Sequence, residues 1–233
     1  IDGAGGDDII TIAAAGKGNT DVMDGGADAD VLQLSTGAHT FGDDAKLKNI
    51  ETIKTASGGS EVILSAQTEA LKITGDAGVD KITGGEGVDT IDGAGGDDII
   101  TIAAAGKGDT DVMDGGADAD VLQLSTGKHT FADNDKLKNI ETIKTASGGS
   151  EVILSAQQEA LTITGDAGND IITGGKGIDT ISAGDGTDTI TGGEGDDIIT
   201  GGAGVDTFKV DKDTDTIQDL SLIHISEPTR HTR

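Results

Sequence analysis

Aspartate recurs every nine residues between positions 165 and 209, at Asp170, Asp179, Asp188, Asp197 and Asp206. Two places beyond each stands a large apolar residue: Ile172, Ile181, Ile190, Ile199 and Phe208. Glycine and small polar residues fill the rest, so the segment reads as nonapeptides of the pattern G-G-x-G-x-D-x-U-x, with U large and apolar. A carboxylate beside a glycine-rich turn, whose carbonyls stay open, supplies hard oxygen donors. Such donors suit Ca²⁺. The same pattern places Asp8, Asp21 and Asp30 within residues 1–33. It places Asp80, Asp89, Asp98, Asp111 and Asp120 within 75–123, and Asp215 in a degenerate rung that has lost its glycines.

These carboxylates need elements that bring them together. The first six residues of each nonapeptide make a tight turn. The last three, such as Thr180-Ile181-Ser182, make a short strand with the middle side chain inward. Two nonapeptides complete one coil, so residues n and n+18 stack on one edge. The pairs are then Asp8–Asp30, Asp80–Asp98, Asp89–Asp111, Asp98–Asp120, Asp170–Asp188, Asp179–Asp197 and Asp188–Asp206, with Asp197–Asp215 as an eighth. Stacked carboxylates repel unless a cation lies between them, so about seven or eight Ca²⁺ ions are expected. One aliphatic side chain for every nine residues buries little apolar surface against the entropy of ordering the turn. Metal binding coupled to folding closes that gap, so the calcium is expected to be structural.

The expected fold class is all-β: a parallel β-roll or β-solenoid of calcium-binding nonapeptides with metal-free solenoid spacer rungs. On these repeats the chain resembles the repeats-in-toxin (RTX) family of hemolysin-type calcium-binding repeats, and among its members bacterial RTX adhesins and surface-layer proteins. The resemblance implies type I secretion in an unfolded state and folding outside the cell. The run DTIQDL at 215–220 is similar to segments that close such arrays.

Residues 1–90 and 91–180 are nearly the same and differ at eleven positions. This nested period implies an extended array. Calcium repeats are expected over 1–33, 75–123 and 165–220, with spacers over 34–74 and 124–164. In the first spacer the inward aliphatic ladder is expected to run through Ile53, Ile63, Ile73, Ile82, Ile91 and Ile100. Segments 49–54, 61–65 and 70–74 read as strands, and 43–48 as a short helical turn. The insertions Ile12-Ala13-Ala14-Ala15 and Ile102-Ala103-Ala104-Ala105 are even in length and preserve facing. Each should lengthen a strand or form a small bulge. Asp28 reads as a solvated turn residue, and His39 and His129 as surface histidines. The chain begins inside a repeat and is expected to be a fragment. Residues 221–233 hold its only proline and both arginines. They read like a translated sequencing-adapter stretch and are set aside from the fold.

Acidic residues outnumber basic ones 43 to 16, for a net charge of −27. That disfavours nucleic acid and anionic membrane as partners. Cysteine, tryptophan and tyrosine are absent, so neither disulfides nor an aromatic core can hold the fold. No stretch reaches transmembrane length. H-E-x-x-H and G-x-S-x-G are missing, and Gly-Lys-Gly at 16–18 and 106–108 lacks the spacing of a phosphate loop. No catalytic residue is expected. Three functions stay open: a calcium-folded structural or adhesive segment of a secreted bacterial surface protein, the C-terminal calcium domain of an RTX toxin, protease or lipase, or a plain calcium-buffering module. Cell-surface or self-association partners are not specified by the residues.

Overall fold

A computed structural model describes residues 1–16, 21–104, 106, 110–209, 213–218 and 223–226. Both Gly-Lys-Gly segments fall largely outside these residues, as do positions 219–220 and most of the tail. Among the described residues the chain is all-β apart from single turns of 3-10 helix at Asp44–Lys46 and Asn134–Lys136. Among the described residues no helix is long and apolar enough to cross a membrane. It divides into two compact units, residues 1–122 with 135–140, and residues 123–134 with 141–233.

Each unit is a parallel β-solenoid. In the first, one ladder of inward side chains runs Ile10, Leu32, Ile53, Ile73, Ile91, Met113 and Leu137. A second runs His39, Val62, Ile82 and Ile100. In the second unit the ladders are Ile143, Ile163, Ile181, Ile199 and Ile217, and His129, Val152, Ile172, Ile190 and Phe208. Three-residue strands with one buried centre make these ladders, as at Thr189–Thr191 and Thr162–Thr164. Alternation of facing along a strand allows one inward side chain for each such step.

Within nonapeptide blocks the register step is 18, as in Ile181↔Ile199 and Ile172↔Ile190. Even the turns stack, Gly184 on Gly202 and Gly186 on Gly204. Gly184 and Gly202 hold φ of 104° and 99°, a region glycine enters freely. A Cβ on Gly202 would collide with the Gly184 carbonyl of the coil before. The alanine insertions stretch the step to 22, at Ile10↔Leu32 and Ile91↔Met113. Strands end at Thr11 and Ile102, and Ala13, Ala14 and Ala15 are exposed in a turn. The extra residues therefore loop outward and leave the stack intact.

The spacers keep the ladder with wider steps, 21 at Leu32↔Ile53 and 23 at His39↔Val62. Their strands, Thr52–Lys54, Ser60–Ile63 and Lys72–Thr74, and the helical turn at Asp44–Lys46 fall where the sequence places them. The inward residue of the middle strand is Val62, not Ile63. Val62 and Leu64 are buried while Ile63 is half-buried. Three consecutive apolar residues, Val62-Ile63-Leu64, hide the two-residue period.

His39 and His129 are not on the surface. Both are fully buried, heading inward ladders opposite Val62 and Val152. Each donates its Nε2–H to a carbonyl four residues earlier, Ser35 at 2.9 Å and Ser125 at 3.0 Å. Strand facing puts them inside, and a local carbonyl takes the Nε2–H of each ring. Asp28 is exposed with φ of 83°, as a turn residue should be, and its carboxylate accepts from Gly6 N–H.

The tail is not wholly apart from the fold. Ile223–Ser226 pairs in parallel with Asp206–Lys209. An open sheet edge offers unpaired N–H and C=O groups to any β-competent segment. This pairing follows from edge chemistry and needs no repeat pattern.

Candidate metal centre

Every repeat aspartate sits in the turn just ahead of an inward strand. Its place is fixed by a bond that recurs along the stack. In each pair the Oδ1 of the later aspartate accepts from the backbone N–H of the aspartate one coil earlier. In the second unit Asp188 accepts from Asp170 at 2.8 Å, Asp206 from Asp188 at 3.0 Å, Asp197 from Asp179 at 2.8 Å and Asp215 from Asp197 at 3.2 Å. In the first, Asp30 accepts from Asp8 at 2.8 Å, Asp98 from Asp80 at 2.7 Å, and Asp111 from Asp89 and Asp120 from Asp98 at 2.8 Å. All eight expected pairs are therefore brought together, including those that span the alanine insertions.

Burial is extreme for carboxylates. Asp30, Asp80, Asp89, Asp98, Asp111, Asp120, Asp170, Asp179, Asp188, Asp197 and Asp206 are all buried. Asp8 and Asp215 are half-buried, and Asp21 is exposed. Asp21 holds the place that Asp111 holds 90 residues on, where Asp111 accepts from Asp89 N–H.

The second carboxylate oxygens decide what the turns can hold. The Oδ2 atoms of Asp8, Asp30, Asp98, Asp170 and Asp188 are buried with no hydrogen-bond partner. What faces them is more oxygen. A Cβ on Gly93 would meet both Asp98 Oδ2 and the Gly115 carbonyl of the next coil. Gly3 stands in the same way between Asp8 Oδ2 and the Gly25 carbonyl, and Gly165 between Asp170 Oδ2 and the Ala183 carbonyl. A buried anion beside carbonyl dipoles and without a donor is costly unless a cation completes it. The donors are hard oxygens throughout, which fits Ca²⁺. No cluster of three or more His, Cys, Asp or Glu side chains is gathered among the described residues. An ion here would therefore be held by paired carboxylates and backbone carbonyls.

Some carboxylates at the spacer edges are satisfied by protein donors instead. Asp80 accepts from Ser60 N at 2.6 Å, and from Thr55 Oγ1 and Asp76 N at 3.1 Å. Asp89 accepts from Leu71 N and Gly85 N at 2.9 Å, and Asp179 from Leu161 N and Gly175 N at 2.8 Å. The spacer thus caps the aspartate column. The sequence reading missed Thr55 and Ser60, because their role depends on a step of 20 to 25 residues.

Burial pushes the carboxyls of Asp80, Asp170, Asp179 and Asp188 up from the usual carboxylate value. Asp98 is pushed up to about 7, first by burial and then by the charges of Asp120, Asp80 and Asp76. Donated N–H bonds oppose this only in part.

Comparison with known families agrees with this geometry. The RTX calcium-binding nonapeptide repeat, described as four tandem copies, matches residues 15–38, 72–101, 105–127, 162–181 and 182–217, more than half of the chain. The chain belongs to the RTX calcium-binding repeat family. No curated protein matches it. RTX nonapeptides bind calcium, so this is a calcium-binding repeat protein, and Ca²⁺ is its cofactor.

Proposed function

We propose that this RTX chain is a calcium-folded structural and adhesive segment of a secreted bacterial surface protein. One observation carries the calcium-folded part: buried aspartates stacked coil on coil, their Oδ2 atoms facing carbonyls without a donor. Each of the eight Asp pairs holds one ion, and Asp21 stays a candidate ligand as the equivalent of Asp111 in the 90-residue repeat. The repeated 90-residue block supports the adhesive part, since tandem duplication adds reach without new chemistry. Secretion in an unfolded state follows from calcium dependence: the chain stays open where calcium is scarce and folds where it is plentiful. Far-UV circular dichroism and size-exclusion chromatography of the chain in EGTA and in calcium test this reading. Compaction and gain of β-structure on adding calcium support it. A compact β-fold that persists in excess EGTA rules it out.

A further inference from the structure

Asp30 is the last repeat aspartate before the first spacer. It is 1% exposed. Its Oδ1 accepts from Asp8 N, and its Oδ2 has no partner. Inside a nonapeptide block the next coil would bring another aspartate against it. Here the register Val31↔Thr52 brings Glu51. Asp30 N donates to Glu51 Oε2 at 2.7 Å, the same bond that Asp8 N makes to Asp30 Oδ1 at 2.8 Å. Glutamate, one methylene longer, takes the aspartate's place on a coil of 21 residues that follows one of 22.

The neutral half of the niche is also present. A Cβ on Gly25 would meet Asp30 Oδ2 and the Asn49 carbonyl, the counterpart of the Gly25 carbonyl that faces Asp8 Oδ2 one coil earlier. Asn49 holds a left-handed φ of 50°, which asparagine tolerates better than most residues. Its side chain anchors that turn by donating Nδ2–H to Asp24 Oδ1 at 2.7 Å. Gly25 N is tied to the Lys48 carbonyl at 3.0 Å. The same frame recurs 90 residues on, where Gly115 faces Asp120 Oδ2 and the carbonyl of Asn139, whose φ is 49°.

We propose that the Asp30 carboxylate, the Glu51 carboxylate and the Asn49 carbonyl form a further calcium site at the entry to the first spacer. That spacer is then not metal-free: its first rung closes the calcium column with a glutamate. The proposal rests on the calcium reading of the repeats, and the test separates the two. Native mass spectrometry counts the ions on the full calcium-loaded chain, for wild type, Glu51→Gln and Asp188→Asn. Glutamine keeps an acceptor for Asp30 N and loses only the charge, so a purely structural Glu51 would leave the count unchanged. The expected result is one ion fewer in E51Q and about two fewer in D188N. A full count in E51Q with ions lost in D188N overturns the spacer site alone. A full count in both overturns the calcium reading of the repeats as well. Should E51Q fail to fold, Glu51→Asp decides at limiting calcium, since it keeps the charge and shortens its reach. Loss of one ion supports the site, and retention at the wild-type calcium concentration overturns it.

Discussion

Asp188 lies between two carboxylates. Its Oδ1 takes the Asp170 N–H, and its own N–H goes to Asp206. Asp170 has a repeat aspartate on one side only, since the coil before it offers Ser150, whose N–H it accepts at 2.6 Å. Asp188→Ala should therefore remove about two ions and Asp170→Ala about one, because breaking one partner of a buried set leaves the others uncompensated. Isothermal titration of both variants beside wild type checks this, and equal losses would contradict the n+18 stack as a metal-binding register. Gly93→Ala tests the niche itself. Gly93 is not among the positive-φ residues, but its Cβ would collide with Asp98 Oδ2 and the Gly115 carbonyl, so in the folded stack these oxygens must move apart. Calcium affinity should drop there while the calcium-free chain behaves as wild type. The raised carboxyls also set a pH dependence. A folded-state pKa above the unfolded value contributes stability that is complete below the unfolded pKa and lost as pH rises through the folded one. For Asp98 that window runs from about 7 down to the ordinary carboxyl value of 3.8. In EGTA, β-structure by circular dichroism should grow as pH falls from about 8 to about 5, whereas calcium binding weakens over the same range as protons compete. A metal-free β-signal that shrinks on acidification would refute this.

At the scale of elements, the nonapeptide rungs were readable because two independent signals repeat with one period: Asp170, Asp179 and Asp188 in the turns, Ile172, Ile181 and Ile190 in the strands. Where one signal stops, reading becomes less certain. The spacer retains only the apolar one, and in Val62-Ile63-Leu64 every position qualifies, so the inward residue was off by one. His39 shares the inward position of Val62 but not its chemistry, so hydropathy placed it outside. Glu51 escaped because a step of 21 lies off the expected register and glutamate is not the repeat's acid. The spacers differ from the calcium rungs in what holds them. Leu34, Phe41, Leu47, Ile50, Ile53, Val62, Leu64, Leu71 and Ile73 are all buried within one spacer, and Gln67 Nε2 donates to the Phe41 and Asp43 carbonyls at 3.1 and 3.2 Å. Such a core does not depend on an ion. In limiting calcium, hydrogen exchange should therefore be slower over 34–74 and 124–164 than over 165–209. Phe131→Ala, emptying a fully buried site at a cost of about 3–5 kcal/mol, should abolish the difference in 124–164 and leave 34–74 protected, since solenoid coupling is local. Faster exchange in the spacers than in the repeats of the wild type would reverse this assignment.

For the whole molecule the governing quantity is charge. The chain carries −27 over 233 residues, and no tryptophan, tyrosine or cysteine offsets it through an aromatic core or a disulfide. Without cations the buried carboxylates repel one another along each stack and the rest of the acidic surface repels in addition, so the repeat blocks of the calcium-free chain should be expanded. Two agents could relieve that repulsion, and they act differently. Salt screens exposed charges within a Debye length of about 8–10 Å at ordinary ionic strength but donates no ligand to Asp98 Oδ2 or Asp188 Oδ2. Calcium does both. Raising sodium chloride in EGTA should thus contract the chain modestly, seen as a smaller hydrodynamic radius, without adding β-structure in the repeats. Calcium at about 0.1–1 mM, the range of extracellular modules, should add compaction and β-structure together. Magnesium, smaller and reluctant to shed its waters, should fall short of calcium at equal concentration because the niches offer carbonyls and paired carboxylates rather than room for a hydrated ion. If sodium chloride alone produced the full β-spectrum, folding would be governed by screening, and the aspartate stacks would be tolerated charges instead of ligands.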